Sequence, residues 1–372
     1  MHLHRPGQAS VDHGTTACFH LVITIICNYF SSRVVANTVE MLCNLIETYQ
    51  GHPGMETTVS QAVLDIQGYS QSMEVAEVMT SNRFYDDLLW HALAWLRAHD
   101  VTSSVAWRHR YLALARACYA RAVTESWDEG QCQGGCWWSM DKDYKNAITN
   151  ALFTVSSFRL YMSTTQEEWY LRWAERSFQW FLQSDMWDPS TGLINDGLVT
   201  ATCLNNHQPT WTYNQGVILS AFADAHQLKM AGKWKLPVPL SNAFRLIDAV
   251  MQRLTSATSQ VLIEPCDYNE LGQPTDCGPD GKQFKGIFMR HLMYFVDRVG
   301  PDGMPTALFQ RIQAFVQANA QSILAHAVLP ESMSGRDACY GQHWMGGWIG
   351  LERCNAISQT SALDALLAHA HF

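Results

Sequence analysis

Nowhere does this 372-residue chain hold a run approaching the roughly 20 apolar residues that a helix needs to cross a bilayer. The nearest is ACFHLVITIICNYF at 17–30, which lacks both a basic segment before it and a small-residue cleavage site after it, so it reads as a poor secretion signal. The C-terminal SALDALLAHAHF reads as the end of an amphipathic helix, unsuited to a lipid anchor. Basic residues are few: 25 Lys and Arg against 34 Asp and Glu give a formal charge of −9, which argues against a nucleic-acid backbone as the main partner. Charge of either sign is modest at 16%, against 47% apolar residues, which excludes disorder and leaves enough side chain for a large core. Also missing are a Gly/Ser- or Pro-rich linker and any fixed repeat period. The first absence argues for one domain and the second against a solenoid. We read residues 33–372 as that domain, preceded by an atypical, unpatterned segment over 1–32.

Strand-like alternation is nearly absent too, and helical spacing takes its place. The pattern predicts helices over 33–50, 84–98, 108–124, 144–163, 167–184, 212–230, 239–254, 284–299, 304–325 and 357–370. Ser81 and Asn82 precede the second of these, and Thr165 with Glu168 has the form of a capping box. Short connections alternate with long ones at 126–143, 185–211, 255–283 and 328–356, as helical hairpins with their long loops at one end would give. Hairpins that must bury their apolar faces without a repeat period favour an all-α ring, an (α/α)6 barrel, with a cleft at its loop-rich end.

Eleven cysteines suit an oxidising compartment. Local spacing pairs Cys266 with Cys277 and, less compellingly, Cys132 with Cys136, both in loop-like sequence. The C-x3-C at 132 has no matching C-x2-C or H-x3-H, so no metal site is read from it, and no cofactor is expected. Fourteen Trp and thirteen Tyr either fill a helical core or offer flat rings to sugars.

Four clusters carry candidate chemistry. In FYDDLLW at 84–90, Asp86 and Asp87 follow Tyr85 at a helix start, where the dipole favours anions. Consecutive Cα atoms lie about 3.8 Å apart, so the two carboxyls can sit about 5 Å apart, the separation of a retaining glycosidase pair. Their mutual repulsion raises one of the two pKa values and so separates the roles of acid and nucleophile. Alone, adjacent aspartates in a first turn are ordinary helix chemistry. GGCWWSMDKDYKNAITN at 134–150 sets Trp137 and Trp138 beside Tyr144 and Asn146. TGLINDGL at 191–198 offers Asn195 and Asp196, although a tight turn explains them equally well. WTYNQG at 211–216 brings Trp211, Tyr213 and Asn214 into a helix start.

In this order, YDDLLWHALAWL, GGCWWSMDKDYKNAITNALF, LINDGL, WTYNQGVIL, FKGIFMRHL and QTSALDAL resemble glycoside hydrolase family 76, the endo-acting α-1,6-mannanases and related fungal wall enzymes. The resemblance covers about residues 33–372. It implies an (α/α)6 barrel, a retaining mechanism, α-mannan as substrate and a secreted or wall-associated protein that works as a monomer. It also implies that Asp86 is the nucleophile and Asp87 the acid/base, and places Trp138, Tyr144, Asn146, Asp196, Tyr213 and Asn214 in or near the cleft. The chain departs from the family where a Trp pair is usual: Ser32 and Arg33 stand there instead. A lost stacking platform implies weaker mannan binding, by about 1–3 kcal/mol if base–aromatic stacking is a guide. Restoring Trp at 32 and 33 is therefore expected to raise catalytic efficiency. Two other functions use the same residues: transglycosylation of wall glycans, and mannan binding without catalysis. A terpene cyclase barrel is set aside because no spaced Asp-rich Mg²⁺ motif is present.

Overall fold

The structure, a computed structural model, describes residues 32–73, 82–165, 167–329, 339–347 and 355–372. Residues 1–31 of the atypical segment lie outside the described residues. Six helices form an inner ring: α1 (Ser32–Tyr49), α3 (Tyr85–Val101), α5 (Ala147–Ser163), α7 (Thr212–Met230), α9 (Gly278–Val299) and α11 (Ala356–His371). Each packs on the next in that order, and α11 returns to α1, so the ring closes. Between them in sequence come α2 (Glu56–Ser72), α4 (Val105–Glu125), α6 (Glu168–Gln183), α8 (Leu240–Arg253) and α10 (Thr306–Ser322), which form the outer layer. This is an (α/α)6 barrel. Among the described residues the only strands are the short antiparallel pair Leu198–Val199 and Leu204–Asn205, and no helix is long and apolar enough to cross a membrane.

The two layers follow from residue spacing. In α6, Tyr170, Ala174, Ser177, Phe178 and Phe181 are buried while the intervening charges face water, the single apolar stripe of an outer helix. In α5, every residue from Ala147 to Tyr161 is buried, as a helix ringed by neighbours requires. Glycine sets two of the inner spacings: a Cβ on Gly216 of α7 would come within 2.7 Å of the Phe288 Cα, and one on Gly286 of α9 within 2.4 Å of the Ser361 Cα.

Ten of these helices match expected ones, nine of them within a few residues at both ends, and three local features differ. Helix α2 was missed because its inward stripe is Thr58, Ala62, Ile66 and Ser70, too polar to read as amphipathic. Helix α9 begins at Gly278, six residues before the apolar pattern, because Pro279 and Asp280 suit a first turn. The capping box at Thr165 does not form: Glu167 precedes α6 without a side-chain cap.

Disulfides join Cys266 to Cys277 as spacing suggested, and Cys132 to Cys203, which corrects the expected Cys132–Cys136 pairing. The physical reason lies in Gly134 and Gly135, both at positive φ under the Trp180 ring. They turn the chain so that Cys136 is buried as a free thiol, its amide donating to the Asn150 side chain at 2.6 Å, while Cys132 faces the loop carrying Cys203.

Two or more turns into the inner helices, buried charges line the interior of the ring. Arg290 bridges Asp364 at 2.7 Å and Glu40 at 3.3 Å, while Arg159 lies 3.7 Å from Glu40 and 3.4 Å from Asp224. Arg298 completes the set with Asp224 at 3.1 Å.

Candidate active site

All six inner helices start at the same end, and the long loops gather there. Arg33 of α1 reaches the first turns of both α3 and α9, Tyr213 of α7 stacks on Phe284 of α9, and Val34 packs with Ala356 and Ile357 of α11. The start of α5 is tied in through the Ala147 amide, which donates to the Asp196 carbonyl at 2.7 Å.

Asp86 and Asp87 occupy the first turn of α3. The loop carrying Trp138 runs antiparallel to the segment entering this helix: the Tyr85 amide donates to the Trp138 carbonyl at 2.8 Å, and the Met140 amide to the Arg83 carbonyl at 3.0 Å. Phe84 and Trp138 bring their rings to 4.8 Å. Asn82 uses both ends of its amide, accepting from the Phe84 amide at 3.0 Å and donating to the Asp87 carboxylate at 3.2 Å. The two aspartates differ sharply in surroundings. Asp86 is 2% exposed, and burial, followed by the neighbouring Asp87 charge, pushes its carboxyl up to about 7. Arg33, 3.6 Å from Asp86 Oδ2, and the Trp138 indole pull the other way. Asp87 is less buried and keeps its side chain toward the open end with Asn82.

Opposite this pair stands a second acidic group. The Tyr144 hydroxyl donates to Asp196 at 2.6 Å and accepts from Asn206 at 2.8 Å. Burial raises the Asp196 carboxyl, against the pull of Tyr144 and Asn214. Tyr213 lies between the two acidic groups, its ring 3.8 Å from and nearly parallel to Phe284, with Asp196, Arg33, Asp86 and Asp280 around its hydroxyl. Burial first, and then Asp196, raise that hydroxyl well above its ordinary range.

The structure thus brings together Asp86, Asp87, Trp138, Tyr144, Asp196, Tyr213 and Asn214. Other candidates have their polar groups committed within the protein. Tyr85 packs with Leu88 and Trp137, and its hydroxyl faces Glu125 of α4 at 3.5 Å. The Lys145 ammonium lies 4.5 Å over the Trp137 ring. Asn146 caps α5 through Thr149, and Asn195 is held by Gln208 and Asn205 inside its loop. Trp211 meets Phe284 edge-on at 5.6 Å.

Sequence reasoning missed Arg33 and Asp280, which form an ion pair at 2.5 Å beside Asp86. In place of a stacking surface the site has a cation 3.6 Å from a buried carboxylate. Glu264 was missed as well. It accepts from the Thr212 amide at 3.2 Å and from the Thr212 hydroxyl, fixing the start of α7 that carries Tyr213, and burial pushes it up to about 8.

The family model for Glycosyl hydrolase family 76 matches residues 28–371. A mannan endo-1,6-alpha-mannosidase from Eremothecium gossypii is 26% identical over 252 residues, covering 65% of this chain and 50% of its own length. The chain spans about half the length of the curated relatives it matches. Among solved structures, the GH76A alpha-1,6-mannanase from Salegentibacter sp. HEL1_6 superimposes with a TM-score of 0.73 at 21% identity, covering 97% of this chain and 99% of that one. An inactive variant of that enzyme, with two consecutive aspartates replaced, is in complex with alpha-1,6-mannotetrose; it superimposes with a TM-score of 0.72 at 20% identity over the same shares of the two chains.

Proposed function

Because the chain belongs to glycosyl hydrolase family 76, we propose that it is a retaining glycoside hydrolase that cuts α-1,6-mannosidic bonds within mannan, with Asp86 as nucleophile and Asp87 as acid/base. The observation that carries this reading is the pair of consecutive carboxyls in the first turn of α3, one buried against a cation and the other turned to the open end. Neighbouring residues leave little room for a water between their carboxyls, which favours direct attack over inversion.

In the first step the Asp86 carboxylate bonds to the anomeric carbon as the glycosidic C–O bond breaks, and Asp87 delivers its proton to the departing oxygen. In the second, Asp87 takes a proton from water, and that water displaces Asp86 to release a sugar of the original configuration. The chemistry requires one proton on the pair in the free enzyme. Two carboxyls this close in a buried site titrate as a unit, and a value of about 7 at Asp86 keeps one proton bound through mildly acidic pH.

The mannan-acting relatives and the oligosaccharide held by the structural neighbour support the substrate. Two disulfides support an oxidising location, secreted or at the cell wall. Trp138, Tyr213 and the Tyr144–Asp196 pair offer the flat rings and hydrogen-bonding groups that a mannosyl ring needs. Incubation with unbranched α-1,6-mannan tests the reading: shorter oligosaccharides should appear with the wild type and be absent with Asp86→Asn. Intact mannan after incubation with well-folded wild-type protein would contradict it.

A further inference from the structure

The outside of the barrel carries a second concentration of aromatic side chains. On α6, the residues just before Tyr170, Ala174, Ser177 and Phe181 of the buried stripe are Trp169, Trp173, Arg176 and Trp180. Their spacing sets them in one row along the helix, about 16 Å from end to end. None of the four is fully buried: Trp169 is 41% exposed, Arg176 is exposed, and Trp173 and Trp180 are half-buried. Half-buried Trp127, just after α4, joins the row from the side. Its ring meets Trp173 at 5.4 Å and Trp180 at 6.4 Å, and Trp169 meets Trp173 at 6.3 Å, each pair edge to face. Arg176 lies across Trp127 and Trp173, 5.2 and 5.5 Å from the ring centres, and pairs with Glu129. These contacts fix the rings in advance, so little side-chain freedom is left to lose on binding.

The row leads to the mouth. Inner helices start there, so the outer α6 ends there, with Trp180 as its mouth-side member. The Trp180 ring lies against Gly134 and Gly135, and its indole donates to the Cys132 carbonyl at 3.0 Å. A few residues further on, the same loop brings Trp138 to the first turn of α3.

Shape and charge select the occupant. The helix carries Glu168 and Glu175 against Arg172 and Arg176, which offers no net charge to a phosphate backbone. A single line of rings interrupted by an ion pair is too narrow for a stable protein interface, which buries about 800 Å² on each partner. A neutral sugar strand fits, because its C–H faces stack on flat rings while its hydroxyls bond to the charged groups set between them.

We propose that the row Trp169, Trp173 and Trp180 is a second glycan site, outside the cleft, that holds a strand of the α-1,6-mannan proposed as substrate. The choice of mannan rests on the proposed function; the row itself does not. A polymer held on the outer wall stays near the mouth between cuts, which matters for a long or insoluble chain and not for a short one.

Two measurements on the full chain test this. Indole N–H signals in the NMR spectrum of the Asp86→Asn protein, assigned with Trp169→Ala and Trp173→Leu, report binding ring by ring without cleavage. Titration with α-1,6-mannotetraose should shift the Trp169 and Trp173 signals to saturation, and a β-1,3-linked glucan oligosaccharide should leave them unmoved. In the active protein, Trp169→Ala with Trp173→Leu should lower the rate on insoluble mannan about tenfold and leave kcat/KM for mannotetraose unchanged. Trp169→Ala alone, at the most exposed ring, should give the same split at smaller size should the pair not fold. Signals that do not move with mannotetraose, signals that move only with phosphatidylcholine vesicles, or an equal loss of rate on both substrates would overturn the proposal. If the signals shift while the wild type leaves mannan intact, the proposed function falls and the second site stands.

Discussion

The barrel axis holds acidic side chains at two depths, and they are neutralised differently. Deep in the ring, Glu40, Asp224 and Asp364 are matched by Arg159, Arg290 and Arg298. At the mouth, Asp86, Asp87 and Asp280 gather around Arg33. Residue types are alike, but the mouth is less buried and its charges are not balanced. In the deep cluster each carboxylate has an arginine partner on a neighbouring helix and the set acts as a strut, although burial still pushes Asp364 up to about 8. Where carboxylates outnumber the cation, a proton must make up the difference, and a group that holds a proton near neutrality can give it away. The mouth differs in access as well as in charge balance, since Asp87 and Asp280 are not fully buried.

Substitutions can break this contrast, and the largest effect is expected at Asp86. Asp86→Asn should lower mannan cleavage by at least about a thousandfold, since it removes the carboxylate proposed as nucleophile. The same substitution should stabilise the protein at high pH. In the wild type, folded Asp86 titrates near 7 and the unfolded side chain near its ordinary value, so the native state binds the extra proton between them and stability falls as pH rises through that window. The gain of Asp86→Asn over the wild type should therefore be absent in acid and grow toward pH 7, as urea unfolding at several pH values would show. A gain that shrinks with rising pH would contradict the account.

Arg290→Met in the deep cluster should do the opposite: cost about 3–5 kcal/mol of stability by leaving Asp364 and Glu40 uncompensated, with the mouth unchanged in whatever protein remains folded. Denaturant midpoints check the first half, and kcat/KM per folded molecule the second. Cys132→Ser should cost about 2–4 kcal/mol, because the disulfide to Cys203 ties loops 71 residues apart in sequence at the open end. The smallest effect expected is that of Arg33→Trp. It should lower kcat/KM about tenfold despite supplying a ring, if the cation matters more than a stacking surface. A rise would restore the reading of a missing sugar platform.

The same contrast explains what could be read in the chain. Inner helices such as α5 and α7 announce themselves through long apolar spacing, and the adjacency of Asp86 and Asp87 is a local fact that needs no fold. Helix α2 was invisible because its buried stripe includes Thr58 and Ser70. Arg33 and Asp280 meet only when the ring closes, and neither belongs to a recognisable local pattern. The Cys132–Cys203 bridge was lost to the nearer Cys136 for the same reason: spacing along the chain cannot see the turn at Gly134 and Gly135 that buries one thiol and presents the other.

The central claim is that two neighbouring carboxyls at the mouth of the barrel cleave mannan through a covalent intermediate on Asp86. Proton NMR of the first product released from α-1,6-mannan tests it most directly. The account predicts that the new reducing end appears first as the α-anomer and only later mutarotates; a β-anomer that appears first would contradict it.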